Sequence, residues 1–250
     1  MIRAITFDFW DTIVKDDSDE PKRAAQGLPT KMETRFQLLR DEIQRDYPQF
    51  NDADIKKAFD HANAWFKHAW KQEHHTPKVS TRLAQAYEFL TIEKSNGFDE
   101  LVSEWERMEV INPPDLVDGV EDMLAEMSKD FQLGIISDTI VTPGWGLMQI
   151  LQSYGLSRYL RTFIFSDEVG PAKPDPFVFR EAARRFNVPV TDVAHVGDRE
   201  ANDIAGPNAL NATSILYTGS IDRGSDNTKA AAVCRHYSEF PGIIQKLNGN

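Results

Sequence analysis

The 250-residue chain carries 39 acidic against 28 basic side chains, a formal net charge of -11, with 41% apolar and 27% charged residues. That balance describes a folded globular protein and excludes a surface built for nucleic acid or anionic membrane, while a local cationic pocket still leaves room for a small anionic substrate. Cys234 is the single cysteine, so an internal disulfide is excluded; with no membrane-length apolar run and no signal-type start, a cytoplasmic protein is expected.

In chain order, residues 2–8 (IRAITFD) predict a strand. Residues 15–30 are polar and predict a loop, with Asp16, Asp17, Asp19, Glu20, Pro21 and Pro29. From about residue 31 to 110 apolar residues recur at helical spacing: Phe36, Leu39, Ile43; Phe59, Ala62, Phe66, Ala69; Leu83, Tyr87, Leu90. Asn51 and Asp52 offer a helix cap, and residues 98–110 predict a further helix. Pro113 and Pro114 close this block.

Helix and strand then alternate. Helices are expected over 119–129, 143–154, 176–186 and 239–248, and over most of 200–211. Strands are expected over 131–137, 162–166, 190–197 and 212–217. Alternation of this kind predicts an α/β fold, a doubly wound parallel sheet with helices on both faces. Residues 1–14 and 113–250 form the expected Rossmann-like catalytic core, and residues 15–112 an inserted all-helical cap.

Open parallel sheets bind ligands beyond the carboxyl ends of their strands. Asp8 ends the first strand and Ser137 the second. Lys173 follows the third, in GPAKPDP, and Asp198 the fourth, with Asp203 five residues later. Three converging carboxylates repel unless cations sit among them. Lys173 supplies one charge, and Mg²⁺, which prefers oxygen ligands, supplies two more. Its expected ligands are Asp8, Asp198, the backbone carbonyl of Trp10, and Asp203 through water. A carboxylate in this setting attacks phosphorus to form an aspartyl phosphate, with Lys173 neutralising charge and Ser137 holding a phosphoryl oxygen.

These residues resemble the haloacid dehalogenase superfamily, whose members are mostly phosphatases. Its first motif, Asp-x-Asp-x-Thr, is met by Asp8 and Thr12 in DFWDT. Ser137 in IISDT, Lys173 in GPAKPDPFVF, and Asp198 with Asp203 in VGDREANDIAG match the other three, in order. The resemblance implies a helical cap after the first motif, Mg²⁺, and a small phosphorylated metabolite as substrate.

One position departs from the pattern. The second motif aspartate, general acid and base in the superfamily's phosphatases, is Trp10 here. An indole N–H only donates. Loss of a positioned acid/base costs about 10²–10⁴ in rate, so slow turnover is expected. Asp11 stands one residue late and points elsewhere in an extended segment, with the alternative that a turn there lets it substitute. Two other readings stay open. A 2-haloacid dehalogenase would use Asp8 on carbon without metal, leaving Asp198 and Asp203 poorly explained. A non-catalytic member would bind Mg²⁺ and a phospholigand without turnover.

Among the remaining residues, Asp138 is placed beside the substrate or as a cap of the turn before Pro143. His61, His68, His74 and His75 read as solvated residues rather than a metal site. Trp65, Phe66, Trp70 and Trp105 read as cap core, with one or two reaching the mouth of the site. Arg23, Lys31 and Arg35 read as exposed bases, with the alternative that one of them recognises a substrate carboxylate or halide. Cys234 reads as a packing residue.

Overall fold

The computed structural model describes residues 1–249. In chain order its elements are β1 (Ala4–Phe7), α1 (Glu20–Ala25), α2 (Lys31–Asp46), α3 (Asp52–Gln72), α4 (Val79–Leu90), α5 (Phe98–Ile111) and α6 (Val120–Met127). There follow β2 (Gln132–Ser137), α7 (Gly144–Ser153), β3 (Thr162–Phe165), α8 (Ser166–Val169), α9 (Pro176–Phe186) and β4 (Val193–Gly197). The last are α10 (Ala205–Asn208), β5 (Thr213–Tyr217), β6 (Ala232–Cys234) and α11 (Phe240–Leu247).

The strands form one wholly parallel sheet in the order β3-β2-β1-β4-β5-β6. Strand direction alternates side chains between the two faces. Ile5, Phe7, Leu133, Ile135 and Val196 point to one face, packed with residues of α6, α7 and α11. Ala4, Ile136 and Ile164 point to the other, under Val178, Phe179, Ala182 and Phe186 of α9. Burying an aromatic such as Phe7 completely contributes about 1.5–3 kcal/mol. Gly134 fits mid-strand because a Cβ there would lie 2.6 Å from the Thr162 carbonyl oxygen.

Register sets the site. Phe7 pairs with Ile135 on one side and Val196 on the other. Asp8 therefore stands level with Ile136 and Gly197, and Ser137 and Asp198 follow one residue further along the flanking strands, so the three reach the same rim of the sheet.

Helices α1 to α5 are inserted between β1 and α6. Their apolar stripes make a second core around Leu39, Ile43, Phe59, Leu83, Tyr87, Phe98 and Trp105. A capping box joins Thr30 and Glu33 at the start of α2, and Asn51 caps α3 through the Ala53 and Asp54 amides. Residues 15–30 are not wholly a loop as expected. Glu20–Ala25 forms α1, with proline in its first turn, where a missing N–H costs nothing. Strand β6 was also not foreseen. It places Cys234 in the buried core, where desolvation pushes the thiol up to about 12 and keeps it unreactive. No helix among the described residues is long and apolar enough to cross a membrane.

Candidate active site

Asp8 follows β1 directly, and its amide bonds the Val196 carbonyl, so the nucleophile candidate sits on fixed backbone. Lys173 Nζ lies 2.7 Å from Asp8 Oδ1 and 2.7 Å from Asp203 Oδ1. All three side chains are buried. Burial alone would discharge Lys173, yet Asp203, Asp8 and Asp138 outweigh it and hold the ammonium charged, above the usual lysine value.

Asp203 sits in a single π-turn at Glu200–Ile204. Its Oδ1 meets Lys173 and His195 Nε2, and its Oδ2 accepts the Arg199 amide. Burial pushes Asp203 up, but Lys173 and His195 prevail and hold its carboxyl below the ordinary range. This packing requires Gly197: a Cβ there would lie 2.3 Å from Asp203 Cγ.

Asp198 caps the adjacent strand end. Its Oδ2 accepts from Arg223 Nε at 2.6 Å, while its buried Oδ1 has no partner among the described residues. Oxygens of Asp8, Asp198 and Asp203 all lie within 4.8 Å of one another, and this is the one such acidic or metal-ligating group among the described residues. Burial and the neighbouring acids push Asp8 and Asp198 up, against the opposing cations. The trio is under-neutralised as it stands. An orphaned buried carboxylate oxygen in an all-oxygen donor set fits a hard divalent cation of the Mg²⁺ type.

Ser137 ends β2 with its Oγ buried and unpartnered among the described residues. Asp138 does more than cap a turn. Its Oδ1 accepts the Lys173 amide at 2.9 Å, and its Oδ2 accepts Trp70 Nε1 at 3.0 Å and Asn202 Nδ2 at 3.2 Å. Trp70 therefore belongs to the site, carried there by α3. The other aromatics differ: Trp105 is buried in the core of the insert, and Trp65 is half-exposed.

Trp10 lines a small cavity together with Asp8, Asp16, Trp70 and Lys173. Asp11 has a left-handed backbone, φ 53°, and its Oδ2 is held by Arg223 Nη2 at 2.8 Å. Lys31 is not an exposed base. It is buried between Asp19 and Glu109, at 2.8 and 2.9 Å. Arg23 is buried too, donating to the Pro29 carbonyl and Thr34. Arg35 is nearly buried 3.8 Å from Glu109, with its Nε unpartnered among the described residues. His61 stacks near Phe89 and His68 stands by Glu73, both exposed. His74 and His75 bond the 170–172 segment through backbone or bridge contacts.

The profile described as "Hydrolase: haloacid dehalogenase-like hydrolase" matches residues 2–211. The chain belongs to the haloacid dehalogenase-like hydrolase family. It is 32% identical over 85 residues to the glyceraldehyde 3-phosphate phosphatase of Methanopyrus kandleri, a stretch covering 34% of this chain and 35% of that protein. The chain thus aligns with about a third of that relative's length. Two solved structures share the fold: the HAD phosphatase of Thermococcus onnurineus, TM-score 0.65, 20% identity, covering 97% and 98% of the two chains, and the 2-haloacid dehalogenase of Pseudomonas syringae, TM-score 0.55, 20% identity, covering 99% and 100%. Fold likeness at this level does not choose between the two chemistries.

Residues at the candidate site that sequence reading did not place there include Asn202, Asp16, His195 and Arg223. His195 sits inside VAHVG, which reads as core strand. Arg223 lies beyond the matched segment, in a polar stretch without periodicity.

Proposed function

We propose that this hydrolase cleaves small phosphate monoesters with Mg²⁺, through an aspartyl phosphate on Asp8. The observation that supports it best is the pair of orphaned buried oxygens, Asp198 Oδ1 and Ser137 Oγ, flanking the Asp8–Lys173 ion pair. Asp8, Asp198 and the Trp10 carbonyl would hold the cation, and Asp203, both of whose oxygens already accept from the protein, would reach it through water. The bound ion supplies Lewis-acid charge neutralisation at phosphorus.

The chain's own residues supply the rest. Asp8 is the nucleophile, kept in place by Lys173. Ser137 donates its free hydroxyl to a phosphoryl oxygen. Lys173 stays protonated and offsets charge that builds on the equatorial oxygens. Asp138 fixes the Lys173 backbone and, through Trp70, ties the insert to the core. Residues 15–112 act as a cap over the core formed by 1–14 and 113–250, and select the substrate. With Trp10 in place of the usual proton carrier, turnover is slow on esters with poor leaving groups unless another group at the cavity carries the proton.

The dehalogenase reading draws on Trp10, since 2-haloacid dehalogenases of the superfamily also carry a large aromatic there. It leaves the orphaned Asp198 Oδ1 without a role, since attack on carbon needs no cation. A panel of phosphate esters and 2-haloacids, with and without Mg²⁺, tests the proposal. Phosphate release that EDTA abolishes is expected. Halide release that ignores EDTA would overturn it. Ligand-induced stabilisation with no product would do the same.

A further inference from the structure

If Asp8 attacks phosphorus, a proton must still reach the leaving oxygen, and Trp10 cannot carry it. The cavity walls show what can. A cavity of about 40 Å³ touches Asp8, Lys173 and Asp203. It has room for about three water positions, the scale of a phosphoryl group. Beyond it lies a chamber of about 180 Å³ against Lys31, Arg35 and Glu109. Trp10, Asp16 and Ile140 line both spaces. They mark the junction, where an ester's phosphoryl group would meet its alcohol part.

Of these three, Asp16 alone is titratable. The other acids on the small cavity are engaged. Asp203 and Asp138 accept N–H bonds on both oxygens, from donors that cannot reverse. Asp8 is the nucleophile. Asp16 Oδ1 accepts the Asp17 amide, and Oδ2 accepts nothing from the described residues. Its outer side is open to solvent, so it can exchange protons with bulk water.

We propose that Asp16 is the proton carrier of this site, replacing the carboxyl absent at position 10. The assignment rests on the phosphatase reading above. As Asp8 Oδ bonds phosphorus and the P–O(alkyl) bond breaks, the Asp16 carboxyl gives its proton to the departing oxygen. The Asp16 carboxylate then takes a proton from water as that water attacks phosphorus. The Asp8–phosphorus bond breaks, inorganic phosphate leaves, and both aspartates return to their starting states.

The charges around Asp16 suit both roles. Desolvation, then Asp17, push its carboxyl up to about 6; Asp11 and Glu109 add to this, and Lys31 opposes it. Arg35 lines the larger chamber, and Asp8, Lys173 and Arg199 line the smaller cavity. A group that titrates near the working pH serves as acid and base in turn.

The test compares wild type with Asp16→Asn and Asp16→Glu in Mg²⁺, on 4-nitrophenyl phosphate and on glycerol 3-phosphate as an alkyl probe. With the activated aryl ester, Asp16→Asn should keep the initial burst and lose steady-state rate, so acid-quenched phosphoenzyme accumulates. With the alkyl ester, phosphoenzyme formation itself should slow by about 10²-fold or more. The wild-type alkyl rate should fall as pH rises through about 6, and Asp16→Asn should lose that limb. Asp16→Glu should restore part of the rate, and thermal melting should not change. Equal slowing of phosphoenzyme formation on both esters, or no slowing on the alkyl ester, with wild-type phosphoenzyme present, would overturn the Asp16 assignment alone. Absence of phosphoenzyme in wild type would overturn the phosphatase reading and this assignment with it.

Discussion

Asp11 and Arg223, 212 residues apart in sequence, meet at 2.8 Å, and the same guanidinium holds Asp198 Oδ2 at 2.6 Å. Asp11 is thereby turned into the support of a metal-ligand candidate and away from the small cavity, whose walls do not include it. Asp11→Asn should therefore reduce phosphate release far less than Asp16→Asn. Steady-state kinetics of both variants on one alkyl phosphate checks the order. A larger loss in Asp11→Asn would return the proton to Asp11.

Trp10 is half-buried, edge-on to Phe9, and stands where superfamily phosphatases carry an acid. In an Asp16→Asn background, Trp10→Asp should restore hydrolysis of alkyl phosphates, by up to the ~10²–10⁴ that a positioned acid/base contributes. Activated aryl esters should gain less. A rate ratio that is the same for both ester classes would show that Trp10 limits something other than proton transfer.

Gly197→Ala would place a methyl group 2.3 Å from Asp203 Cγ, which has no room to yield between Lys173, His195 and the Arg199 amide. The variant should melt lower, and the rise in melting temperature expected for wild type on adding Mg²⁺ should shrink. Differential scanning calorimetry in EDTA and in Mg²⁺ reads both effects.

Lys31 is a structural ion. Desolvation lowers its affinity for a proton, but Glu109 and Asp19 outweigh that and hold it above the usual lysine value. Lys31→Met strands two buried carboxylates, a loss of about 3–5 kcal/mol in chemical denaturation at pH 7. Because the folded-state value is raised, this stabilisation is complete at neutral pH. It fades only as pH rises beyond the ordinary lysine range.

Much of the site was legible because it depends on local rules. Asp8, Ser137 and Asp198 each follow an apolar run, and parallel strands in register deliver such residues to one rim. The α3 cap and α9, which spans Pro176–Phe186 as expected, are equally local. What stayed hidden depends on long-range placement. Trp70 lies on an amphipathic helix whose stripe reads as core, and only the docking of α3 shows its N–H reaching Asp138. Lys31 meets Glu109 across 78 residues. Strand β6 has three residues, too few for a period to show. Helix α1 hides in a polar segment because six residues and a proline look like a turn.

In the proposed reaction Asp8 carries the phosphoryl group between ester and water. The direct test of this role is mass spectrometry of peptides from protein acid-quenched during turnover of 4-nitrophenyl phosphate, with Mg²⁺ and with EDTA. A phosphoryl adduct is expected on the peptide containing Asp8, present only with Mg²⁺ and absent from Asp8→Asn. Phosphate release without any adduct on that peptide, or turnover surviving in Asp8→Asn, would contradict it.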